Sequence, residues 1–121
     1  MAERLLIVLA ALAGLLGVGL SAAGAHVNAS DSLRIAAQFL LFHAPVLLAL
    51  VALSRTGAMQ PGLARLAGYV LVVGLALFSG DLARRALEGV PLAPMAAPTG
   101  GVMLMIGWVL AGGAGLFRGR D

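Results

Sequence analysis

The chain has 121 residues, 61% of them hydrophobic and 11% charged, with a mean hydropathy of +1.04. Soluble domains carry roughly 25% charged residues, so this composition excludes a water-soluble enzyme and leaves little room for an extramembrane domain beside the apolar runs. The net charge of +3 comes from scattered arginines with no lysine, which fits lipid headgroups and excludes nucleic acid as a partner, while the lack of cysteine excludes disulfides, thiolate metal sites and cysteine nucleophiles.

Residues 5–25 form the first apolar run, about the twenty residues needed to cross a hydrocarbon core of roughly 30 Å. The run imitates a secretory signal, with Arg4 before it and Ala23-Gly24-Ala25 before His26, but it is longer than the 7 to 15 residues of an ordinary signal core and reads as a retained span. Ala13, Gly17, Ser21 and Ala25 recur every four residues and make a small-residue stripe on which another helix can pack closely. His26 to Ser32 is a polar turn in which Ser30, Asp31 or Ser32 is placed to cap the next helix. Its sequon at Asn28 lies too near the membrane to serve as a glycosylation site.

The second span covers 33–53 and carries Arg34, Gln38, His43 and Pro45. Gly57, Pro61 and Gly62 make the next connection, and a third span over 66–87 ends at Gly89. Asp81 and Arg85 stand four apart in the favourable order, and Arg84 and Glu88 form the reverse pair. Three prolines in 90–98 predict an extended, non-helical connector. The fourth span covers 100–117. Gly107, Ala111 and Gly115 form a second small stripe, expected to be the counterpart of the first, and Trp108 lies near mid-span.

The pattern predicts an all-α polytopic membrane protein, with four transmembrane helices in an antiparallel bundle over residues 1–121 and both termini on one side. That side holds Arg4, Arg55, Arg65, Arg118 and Arg120 against Arg34, Arg84 and Arg85 opposite, which favours cytoplasmic termini in a bacterial inner membrane.

Two groups of polar residues follow from the helix register. At the end opposite the termini, His26, Arg34, Gln38, Asp81, Arg85 and Thr99 share a level and form a polar cap, in which Arg34 is placed to pair with Asp81. Such a cap is either a vestibule for a ligand or a set of helix caps and interfacial ion pairs that need no functional reason. His43 lies at mid-membrane, where a neutral imidazole has one donor and one acceptor to satisfy. Pro45 cannot donate to the carbonyl of Leu41, so a kink there offers acceptors beside the histidine. His43 and Pro45 therefore mark either a structural kink or a proton-relay or ligand site.

Sharper chemistries fail on spacing. A haem held by two histidines needs both at one depth, yet His26 is about ten residues nearer the membrane surface than His43, roughly 15 Å along the axis. No histidine or carboxylate cluster offers three metal ligands on one face, the first span lacks the carboxylate of a proton-coupled drug exporter, and no hydrolase motif is present.

Several segments together resemble a widespread family of small four-helix inner-membrane proteins, domain of unknown function family 423. They are Ala23-Gly24-Ala25-His26 beside that family's GAFGAH segment, Gln38 with His43-Ala44 beside its QxxxxHA pattern, Leu77-Phe78-Ser79-Gly80 beside its LFSG stretch, and Pro98-Thr99-Gly100-Gly101 with Gly107-Trp108 beside its PxGG and GW segments. Asp81 and Ala83 depart from the family's serine and tyrosine, and Ser21 and Ala23 alter the GAFGAH form. The resemblance implies a four-helix inner-membrane protein with no established reaction, and assigns no role to His26, Gln38 or His43.

The reading that emerges is a non-enzymatic membrane protein without a cofactor, embedded in the bilayer as a homo-oligomer or an accessory subunit of a larger membrane complex. The alternatives are a transporter or channel for protons or a small solute, using His43 and the polar cap, and lipid or quinone binding in a cleft beside Pro45.

Overall fold

The computed structural model describes residues 1–27 and 29–117, so Asn28 of the sequon and Arg118 and Arg120 of the tail lie outside the described residues. Four helices follow in order: α1 Ala2–His26, α2 Asp31–Arg55, α3 Pro61–Glu88 and α4 Ala96–Leu116. The shortest has 21 residues and spans about 31 Å at 1.5 Å per residue, enough for a hydrocarbon core of roughly 30 Å. Each is long and apolar enough to cross a membrane.

Local chemistry sets the boundaries. The Ser30 hydroxyl accepts from the Leu33 amide 3.1 Å away and starts α2. The Gln60 side chain does the same for Leu63, with Pro61 at the first helical position, where a missing N–H costs nothing. Gly89 closes α3 in the left-handed conformation, φ 76°, that favours glycine. The connector expected over 90–98 is shorter than its prolines imply, because Pro98 sits in the first turn of α4, where the backbone amides have no helical acceptor to lose. Met95, at φ 61°, makes the bend into that helix.

Helices neighbouring in sequence pack side by side, α3 against α4 most extensively, then α1 against α2 and α2 against α3, with a lighter contact between α1 and α3. The two middle helices thus supply most of the core, through Leu40, Leu47 and Leu50 of α2 and Leu71 and Leu75 of α3. The outer two leave large apolar side chains such as Leu15, Val18, Met105 and Val109 exposed. In lipid such exposure costs nothing, and helices associate through close packing and a few interhelical hydrogen bonds.

This order corrects the expected partnership of the two small-residue stripes. Ala13 and Gly17 face α2, where a Cβ at Gly17 would lie 2.8 Å from Leu41, and Gly107 faces α3, where a Cβ would lie 2.6 Å from Leu71. Ala111 is buried with Gly107, whereas Ser21 is exposed and Gly115 faces open space. Each stripe serves the neighbour in sequence, because short connections bring that helix alongside first. The tightest crossing is elsewhere: a Cβ at Gly100 would stand 2.5 Å from the Phe78 nitrogen and 2.6 Å from the Gly74 carbonyl oxygen.

Polar ties cross between helices around this core. The Ser79 hydroxyl donates to the Ala36 carbonyl at 3.0 Å, the Tyr69 hydroxyl to the Ala2 carbonyl at 2.6 Å, and the Gln60 amide to the Ala114 carbonyl at 2.8 Å. The last two, with the Arg55–Glu3 pair at 3.9 Å, tie the bundle at the end where α1 begins and α4 ends.

Candidate functional site

His43 sits in the middle turn of α2 with 4% of its surface exposed. Its Nδ1 lies 2.7 Å from the Phe39 carbonyl oxygen one turn earlier, and its Nε2 lies 3.2 Å from Nε1 of Trp108 in α4. An indole N–H only donates, so Nε2 is the acceptor and Nδ1 carries the proton given to Phe39. Both ring nitrogens are therefore used within the protein. The acceptor is the Phe39 carbonyl and not that of Leu41, because residues four apart share a helix face whereas Leu41 is turned about 160° away from His43.

An apolar groove of about 600 Å³ opens beside this pair, lined by Phe39, His43, Phe78, Pro98, Met105 and Trp108 among others. Phe39 and Phe78 meet at 4.5 Å between ring centres, and the His43 and Trp108 rings meet edge to face at 5.8 Å. Pro45 does not line the groove; it is exposed on another face of α2, so the expected cleft lies beside His43 but not beside Pro45. Two residues along a helix are about 200° around it, which separates the histidine from the proline.

The polar cap divides into two places. Asp81 is fully buried on α3, where its carboxylate accepts from Arg85 Nε at 2.9 Å and from the Leu92 amide at 2.8 Å, fastening the α3–α4 connector to the helix. Arg34 is on the far side of α2 and pairs with exposed Asp31 at 2.9 Å, which overturns the expected Arg34–Asp81 pair. The reason is register: Ala36 faces Ser79 of α3, and residues 34 and 38 lie about 160° from it on α2, toward α1. Gln38 is exposed there, and together with Arg34, Asp31, Ser30 and Ser21 it lines a cleft of about 430 Å³ between α1 and α2. His26 and Thr99 are exposed at helix ends and join neither group. Arg84 meets Glu88 at 3.0 Å on the surface, a geometry worth well under 1 kcal/mol where solvent reaches it.

Among the described residues no three His, Asp or Glu side chains converge as metal ligands would. The tie between His43 and Trp108 was not anticipated from the sequence. Its signal was present, since Trp108 and His43 lie near the middle of their spans and each has a polar nitrogen that hydrocarbon cannot satisfy.

A family described as "Protein of unknown function (DUF423)" matches residues 20–101. Proteins named "UPF0382 membrane protein" from two strains of Staphylococcus epidermidis are 31% and 32% identical to this chain, and one from Staphylococcus aureus is 30% identical. Each match covers 88% of this chain and 91% of the relative. No solved structure matches.

Proposed function

The chain belongs to the DUF423 family of membrane proteins, and we propose that it acts as a non-enzymatic membrane subunit whose work is to pack against other chains within the bilayer. The observation that carries this reading is that the mid-membrane polar side chains are consumed by ties between helices, while α1 and α4 keep broad apolar faces. A proton relay through His43 needs neighbours that give and take protons, and its two partners are a backbone carbonyl and an indole N–H, which do neither near neutral pH. The excess of arginine at the end holding the termini supports cytoplasmic termini in a bacterial inner membrane. The test is extraction of the tagged chain from its native membrane into polymer-bounded discs, followed by mass measurement. A stoichiometric complex with itself or another membrane chain is expected, and a lone monomer in every disc overturns the reading.

A second reading rests on the groove. Its aromatic walls suit a lipid-soluble ring molecule such as a quinone, stacked near Phe39, Phe78 and Trp108. Trp108 is the chain's single tryptophan, so a short-chain benzoquinone should quench its emission saturably in lipid discs. Quenching that rises linearly with concentration rejects this reading.

A further inference from the structure

The cleft between the end of α1 and the start of α2 has a more polar lining than the groove beside His43. Asp31, Arg34 and Gln38 occupy positions i, i+3 and i+7 of α2 and so stand on one face, at about 0, 4.5 and 10.5 Å along the helix axis from Asp31 toward the middle of the span. Asp31 and Arg34 side chains are 88% and 65% exposed, and their mutual bond at 2.9 Å leaves most of the guanidinium donors and carboxylate lone pairs open. Gln38 makes no side-chain hydrogen bond with any described residue. It stands exposed two turns inward of Asp31 on a membrane-spanning helix, and an amide left unpaired in hydrocarbon is strongly disfavoured. Opposite it, Gly24 and Ala25 of α1 are small enough to leave the cleft open, and Ser21 adds a hydroxyl.

The order of these groups with depth matches that of a phospholipid. We infer that the cleft binds a zwitterionic phospholipid with a primary-amine headgroup, the ammonium on Asp31, the phosphate on Arg34 and a glycerol ester carbonyl accepting from the Gln38 amide. The Asp31–Arg34 pair is neutral as a whole, so a purely anionic headgroup gains no net attraction, whereas a headgroup bearing both signs meets both partners. A primary ammonium donates hydrogen bonds to the carboxylate, and a quaternary choline does not.

The test is native mass spectrometry of the purified full chain in detergent, titrated with dioleoyl phosphatidylethanolamine, phosphatidylcholine or phosphatidylglycerol at equal concentrations. One retained phosphatidylethanolamine is expected, at an occupancy threefold or more above the other two. Asp31→Asn should bring it down to the phosphatidylcholine level, and Arg34→Gln combined with Gln38→Leu should lower retention of every phospholipid. Because Asp31 and Arg34 are exposed, both variants should keep the wild-type circular dichroism spectrum. Equal retention of the three lipids by the wild type, a preference for phosphatidylglycerol, or a phosphatidylethanolamine preference that survives Asp31→Asn overturns the inference.

Discussion

Replacing Gly100 with alanine should weaken the contact between α3 and α4 more than any other one-methyl change among the glycines. The added Cβ would fall 2.5 Å from the Phe78 nitrogen, 2.6 Å from the Gly74 oxygen and 2.9 Å from the Leu77 Cβ. Two of these neighbours are backbone atoms, so no rotamer change relieves the clash, and restoring ordinary contact near 3.5 Å means parting the helices by about 1 Å. Overpacking of this kind costs typically 1–3 kcal/mol, against a gain of up to about 1 kcal/mol from alanine's better helix propensity. The expected net loss is about 1–2 kcal/mol, a five- to thirtyfold fall in the folded-to-unfolded ratio. Equilibrium unfolding in mixed micelles, by titration of a denaturing detergent, measures it. Gly112→Ala is the control, since nothing lies within 4 Å of a Cβ there. If the two variants unfold at the same point, the Gly74–Gly100 crossing is not where α3 and α4 are held.

His43→Leu removes the acceptor of the Trp108 indole, so the emission maximum of the single tryptophan should shift, with a stability loss of about 1–3 kcal/mol for the orphaned donor; unchanged emission would mean the two rings are not bonded. Ser79→Ala should cost about 0.6 kcal/mol, the average of interhelical hydrogen bonds in a membrane, read from the same unfolding titration. Asp81→Ala frees both Arg85 and the Leu92 amide, so the connector at residues 89–95 should become the first site of protease cleavage in detergent, where the wild type resists.

What the sequence revealed and what it concealed divide along a physical line. Apolar length, the Ser30 cap, the Gly89 stop and the Asp81–Arg85 pair are local, and each follows from residues within a turn or two of one another. The family segments were legible in the same way, as short patterns in order. Which face of one helix meets which face of another depends on rotation about axes that sequence spacing leaves free. Arg34 and Asp81 share a depth yet are separated by the body of α2, and Pro98 enters a helix because its place in the first turn forgives it. The α1 and α4 stripes share a spacing yet serve different neighbours. Depth alone would have paired His43 with Trp108, the two polar rings at mid-span. The close Gly74–Gly100 crossing had no such signal, since neither glycine belongs to a four-residue repeat on its own helix that stands out from the others.

The central claim is that His43, Trp108 and Ser79 tie helices together in the membrane interior and carry no protons. Liposomes containing the purified chain, a trapped pH-sensitive dye and an imposed proton gradient test this directly. The account predicts that the gradient decays at the rate of protein-free liposomes, for the wild type and for His43→Ala alike. A wild-type chain that speeds the decay, with His43→Ala abolishing the effect, would contradict it.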